Sequence, residues 1–179
     1  MIDFKENING LILYLIKNYE HLTKDQIQKL FYFFNIIMKE NLIFHVYFFG
    51  PYSEIVENSI DELYVEFYIN IKRNRNKPDT YFIDDNCLNS HSQSDNEKVD
   101  ELLKKFIEEN DLRQFAELIE VFKNDLQSPD EKELGMAAKS HFCLENYNIN
   151  HVDYKYWSIT EKQLKKAQEI LVKVRELEN

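Results

Sequence analysis

The sequence predicts a mostly α-helical fold with a small β-hairpin. Three observations carry this reading. Apolar residues recur at spacings of three and four along most of the chain. The 179 residues include only 3 Gly and 3 Pro, too few for a turn-rich all-β architecture. The clearest two-residue alternation runs from Val65 to Ile71. In chain order the elements read helix, helix, short strand, helix and two-stranded hairpin. That is the order of a winged helix-turn-helix unit, here followed by an α-helical C-terminal half. The expected division is a winged unit over 1–84, a linker over 85–96 and a helical part over 97–179 packed on the first.

Ile8, Leu11, Ile12, Leu15 and Ile16 form one face of a first helix over 4–19. Thr23 followed by Gln26 is the pattern of a capping box for the second. Ile27, Leu30, Phe31, Phe34 and Met38 mark its buried face. Phe33, Ile36 and Ile37 widen that face, which places this helix at the centre of the fold. Residues 42–49 are β-branched and aromatic and stop at Gly50-Pro51, so they predict a short strand. Pro51 suits the first turn of a third helix, with Ser53 and Glu54 in that turn. The half-buried strand 65–71 and the strand 81–83 then pair as the wing, with a basic tip between them.

The segment 84–94 is polar and aperiodic, as a linker would be. Beyond it come helical stripes at Val99, Leu102, Leu103, Phe106 and Ile107, and at Leu112, Phe115, Leu118, Ile119 and Phe122. Ser128-Pro129 reads as the start of the next helix. Ser158 or Thr160 caps a closing helix whose apolar face runs from Leu164 to Leu177.

The formal charge is −10 and is unevenly placed. Residues 1–78 hold 9 Lys/Arg and 10 Asp/Glu, a net of −1, whereas 79–179 hold 13 and 22, a net of −9. A polyanion is repelled by such a surface, so non-specific nucleic-acid binding by the whole molecule is not expected. The dense basic cluster is Lys72, Arg73, Arg75 and Lys77 at the wing tip, the candidate nucleic-acid contact. Against it stands the third helix, in the recognition slot, which has no Lys or Arg from Pro51 to Ile71. The candidate partner-contact residues are therefore Tyr52, Ser53 and Asn58.

Asp25-Gln26-Ile27-Gln28-Lys29-Leu30-Phe31-Tyr32, then Phe48-Phe49-Gly50-Pro51-Tyr52-Ser53, resemble the YwgA-like family of small prokaryotic proteins. The match lies in a "KLQK-hydrophobic-Y" helix followed by an "aromatic-GPYS" element. Glu133 to Phe142 and Ile159 to Leu164 resemble two of that family's later helices. The resemblance implies a winged-helix domain with a helical C-terminal portion and a regulatory or adaptor role, more distantly like Panacea-type antitoxin domains. It transfers no catalytic residues.

No P-loop, GxSxG, HExxH or GxGxxG occurs, so the expectation is a non-catalytic protein without a cofactor. Cys87 with His91, then His141, Cys143 and His151, are the residues from which a zinc site would be built. They include no C-x2-C pair, and His141 and Cys143 stand on different helix faces, so no metal is expected. A buried Cys143, and a His141 bonded to a backbone carbonyl, are expected instead. Two cysteines suit a reducing compartment, and no apolar stretch is long enough to span a bilayer. Asp3, Lys5 and Glu6 interrupt any leader. Those features predict a cytoplasmic protein. The leading functional expectation is an adaptor that docks on another protein, with a possible homodimer through the closing helix. The alternatives are a DNA-binding transcription regulator using the wing, and an inhibitor whose carboxylates over 95–133 mimic nucleic acid.

Overall fold

A computed structural model describes residues 3–83, 93–149, 152 and 157–179. Helix α1 (Phe4–Tyr19) begins where the Asp3 side chain accepts hydrogen bonds from the Lys5 and Glu6 amides. A two-residue strand β1 (Leu22–Thr23) leads into α2 (Lys24–Ile37), whose start is the Thr23–Gln26 capping box read from the sequence. The hairpin β2 (His45–Tyr47) and β3 (Gly50–Tyr52) follows, then α3 (Glu54–Val65). Strands β4 (Asn70–Lys72) and β5 (Thr80–Phe82) complete the first half. The second half is helical: α4 (Gln93–Glu109), α5 (Arg113–Glu120) with a π-helical turn over Val121–Asp125, α6 (Glu131–Tyr147) and α7 (Glu161–Glu178).

There are two antiparallel sheets among the described residues. One has the order β1-β5-β4, with Leu22 opposite Tyr81 and Ile71 opposite Tyr81 on the other side. The other is the hairpin β2–β3 alone, with Val46 opposite Pro51. No helix among the described residues is long and apolar enough to cross a membrane.

Several expected boundaries move. The strand expected over 42–49 is only His45–Tyr47, and it pairs with Gly50–Tyr52. Pro51 therefore lies in a strand, not in the first turn of α3. Its fixed φ suits either place, and its missing N–H is harmless in a two-stranded hairpin. The strand expected over 65–71 is mostly the end of α3 and a turn. Phe67 takes a left-handed φ of 63°, Tyr68 N–H donates to Leu63 O, and Phe67 N–H donates to Tyr64 O. This closes the helix in a Schellman arrangement before β4 begins. Helix α6 starts after Asp130, which forms a capping box with Glu133, not at Ser128-Pro129. The expected linker 85–96 lies outside the described residues up to position 92, and from Gln93 onward it is helix α4.

One hydrophobic cluster contains residues of both halves. Helix α2 runs through it and buries residues on almost every side, from Ile27 to Phe34. The rings meet edge to face: Phe34 with Phe115 at 4.9 Å, Phe4 with Phe115 at 5.7 Å, and Phe34 with Phe122 at 5.6 Å. Phe33 stacks on Phe122 at 5.8 Å. Each such pair contributes about 0.5–1.5 kcal/mol beyond the burial of its area. Tyr32 and Phe33 face α6 and the π-helical turn.

Candidate interaction surface

The surface that the fold builds most deliberately is the β2–β3 hairpin, inserted between α2 and α3. Its base is fixed from below by Gln28, a fully buried amide on α2. Gln28 Oε1 accepts from Ser53 N–H at 2.9 Å, and its Nε2 donates to Ser53 O at 3.0 Å. Both backbone groups of the residue that joins β3 to α3 are thereby satisfied. Ser53 is itself fully buried, which corrects its reading as a partner contact. Tyr52 is half-buried, and its ring lies 5.0 Å from Tyr47 on the outer face of the hairpin.

Two glycines let the hairpin lie flat on α6. Gly50 has a φ of +112°, and a Cβ there would stand 3.0 Å from Gly135 O and 3.2 Å from Lys29 Cε. A Cβ on Gly135 would stand 3.1 Å from Phe49 O. The close approach brings Lys139 of α6 under the turn. Its Nζ donates to Phe48 O at 2.8 Å and sits 4.7 Å from the Trp157 ring centroid and 5.3 Å from that of Phe48. Partial burial in this aromatic setting pushes the Lys139 pKa down from the ordinary lysine value.

At the tip, the two turn residues between Tyr47 and Gly50 are Phe48 and Phe49. Phe48 is 57% exposed and Phe49 58%, beside Tyr47 at 53%. Their rings meet edge to face at 4.9 Å, and both lie 6.3 Å from Trp157. Tight turns ordinarily carry Gly, Asn, Asp, Ser or Pro, because those residues supply turn geometry or bond their own backbone. Two adjacent phenylalanines serve neither purpose. Sequence reading passed over Phe48, Phe49, Lys139 and Trp157. A signal was present, however: residues 41–53 are the longest run in the chain without Asp, Glu, Lys or Arg.

The basic loop between β4 and β5 is separate from this surface. Lys72, Arg73, Arg75 and Lys77 are all exposed. Asn74 shapes their loop: its N–H donates to Asp79 Oδ1 at 3.1 Å and its Nδ2 to the Lys72 and Pro78 carbonyls. On α3, Glu54, Asp61 and Glu62 are exposed and Glu57 half-buried. Lys24 of α2 answers two of these carboxylates, reaching Asp61 at 2.8 Å and Glu57 at 3.2 Å. Burial lowers the Lys24 pKa, but the Asp61 bond, the Tyr81 phenol and the Glu57 bond outweigh it and hold the ammonium above its ordinary value. Asn58 lies apart again. It lines an open cleft of about 600 Å³ between α1, α3 and α4, with Asn9, Glu62 and Phe106.

Of the residues considered for a metal, Cys87, His91 and His151 lie outside the described residues. Cys143 is buried and unpaired to any disulfide. His141 is buried too, but its partner is not a backbone carbonyl as expected. Its Nδ1 is 2.9 Å from Tyr32 Oη, and its Nε2 is 3.4 Å from Glu178 Oε1 at the end of α7. Burial raises the Tyr32 phenol far above its ordinary pKa, with Glu145 and Glu178 adding to the shift. A phenol held neutral in this way serves as a hydrogen-bond partner and not as a nucleophile. Among the described residues no three His, Cys, Asp or Glu side chains gather as a metal site would require.

The class so defined is a mostly α-helical protein with, among the described residues, two small antiparallel sheets, one of them a hairpin that lies on α6 and exposes an aromatic tip. Comparison with protein-family models, curated proteins and solved structures finds no match.

Proposed function

We propose that this chain is a non-catalytic regulatory or adaptor protein of the cytoplasm that works by binding another protein through its β2–β3 hairpin. The observation that carries the reading is the pair Phe48-Phe49, exposed at the tip of a two-residue turn and braced by Lys139 and Trp157. Exposed aromatics on a rigid support are the kind of anchor that dominates binding energy at protein interfaces. The scaffold is a winged helix with the hairpin added between its second and third helices. Three features support that reading: β1 between α1 and α2, the pair β4–β5 after α3, and the sheet order β1-β5-β4. The likeness to the YwgA-like family at 25–32 and 48–53 supports the same scaffold. The test is affinity capture with nuclease, using the wild type and a Phe48→Ser/Phe49→Ser variant. A partner retained by the wild type and lost by the folded variant is expected. Equal capture by both would overturn the assignment.

A second reading, DNA binding through the wing, rests on the exposure of Lys72, Arg73, Arg75 and Lys77 on a loop ordered by Asn74. It ranks lower because the third helix presents carboxylates where phosphates would lie. It requires salt-dependent DNA binding that falls when Arg73 and Arg75 become Ala. A gel shift without binding at low salt excludes it.

A further inference from the structure

The hairpin has a second feature besides its tip. Pro51 has no N–H, so the Val46–Pro51 pair cannot exchange hydrogen bonds, and the bonded pairs are His45–Tyr52 and Tyr47–Gly50. The alternation of an antiparallel ladder then turns the N–H and C=O of Val46 outward, away from β3. Neither group has a partner among the described residues. Exposed strand edges are normally blunted by Lys, by Pro or by inward-pointing charges. Residues 41–47 carry none of these, and Ile43 and Val46 are exposed beside the edge.

We infer that the first partner of this edge is a second copy of the chain, joined by antiparallel β2–β2′ pairing about a two-fold axis through Val46. The inference rests on the reading of the hairpin as the binding surface and names its occupant. Two arguments favour a second copy. The edge is self-complementary: Val46 offers one donor and one acceptor on the same side, and an identical antiparallel strand returns both. Charge selects the same place. Each copy carries −10, so two copies repel across most faces, but 41–53 is the longest stretch without Asp, Glu, Lys or Arg, and its one basic group is His45. Ile43, Val46, Tyr47, Phe48 and Phe49 expose on the order of 100 Å² apiece, roughly 500 Å² per copy. A stable standard interface takes about 800 Å² per partner. The pairing is therefore a concentration-dependent equilibrium and not an obligate dimer.

The test is sedimentation equilibrium over a wide protein range, with amide exchange at Val46 measured at both ends of it. A dimer that dissociates on dilution is expected, with the Val46 amide protected only at high concentration. Val46→Pro removes the outward N–H and leaves the two bonded hairpin pairs in place, so it is expected to weaken association by about tenfold or more. Val46→Lys, which charges the edge without touching the backbone, is expected to act alike and serves if the proline variant does not fold. A monomer at every concentration overturns the inference, as does a dimer that both variants leave unchanged. Either result leaves the partner reading standing if capture still depends on Phe48 and Phe49. Loss of that dependence while the dimer persists removes the partner reading and keeps this one.

Discussion

Replacing Gln28 by Met tests how the hairpin is anchored. Met matches Gln closely in length and helix propensity, so the perturbation is confined to the two hydrogen bonds. Both are short, 2.9 and 3.0 Å, and both end on Ser53, whose backbone is sealed from water. The variant leaves the buried Ser53 N–H without a partner, whereas the Ser53 carbonyl keeps the bond it accepts from the Glu57 amide at 3.1 Å. An orphaned buried group costs about 1–3 kcal/mol, and that is the expected loss. That is a large share of the roughly 5–15 kcal/mol that holds a domain folded. The control is Ser53→Ala. A serine at an N-cap usually contributes about 1 kcal/mol through its hydroxyl. Here the hydroxyl makes no capping bond and is buried without a partner, so its removal is expected to be neutral or stabilising. Urea denaturation monitored by circular dichroism measures both changes. A Gln28→Met loss below about 1 kcal/mol would refute the anchoring argument, and so would a Ser53→Ala loss as large as an ordinary cap.

Three further outcomes follow from the core and its charges. Lys29 is buried, with its Nζ 2.8 Å from the more accessible Asp25, so Lys29→Met is expected to change stability by less than about 1 kcal/mol while Asp25→Asn, which strands the ammonium, costs about 3 or more. Equal losses in urea melts would contradict this. Phe122→Ala is expected to cost about 3–5 kcal/mol, because the ring contacts Phe33 and Phe34 with no exposure of its own; a smaller loss would mean that the core closes over the gap. Glu131 has its folded pKa raised, chiefly by burial and against a bond from Thr23, so its contribution is fully present below the unfolded pKa and is lost as pH rises through the folded one. Stability of the wild type should therefore decline through the window just above the ordinary glutamate range. Glu131→Gln should flatten that decline, and an unchanged pH profile in urea melts would contradict the assignment.

The helices were legible because each is written locally. The stripe from Ile8 to Ile16, the Thr23–Gln26 cap and the face from Leu112 to Phe122 need no knowledge of the rest of the chain, and all three stand as read. The strands were less so, because a three-residue strand is defined by its neighbour. Leu22–Thr23 is a strand only because Thr80–Tyr81 lies beside it. Pro51 fits a helix start and a hairpin equally, and the decision lies with Gln28 and Gly135, far off in sequence. Phe67 adopts a left-handed conformation that its own side chain disfavours, so β-propensity there pointed the wrong way. The candidate surface was half visible. Tyr52 stands out in the sequence, but Phe48 and Phe49 are indistinguishable there from ordinary strand residues, because the Lys139 and Trp157 that brace them lie far off in the chain.

The shared phenylalanine core also constrains how the chain is made. Phe4 and Phe34 close against Phe115, and Phe33 against Phe122, more than 80 residues further on. During synthesis from the N-terminus, α1 and α2 emerge with these rings uncovered, and the N-terminal half cannot seal its own interior until the π-helical turn after α5 has left the exit channel. At about 5–20 residues per second that interval lasts several seconds. Through it the nascent protein carries a bare aromatic face, and early termination before residue 122 yields a fragment prone to aggregate and not a shorter functional domain.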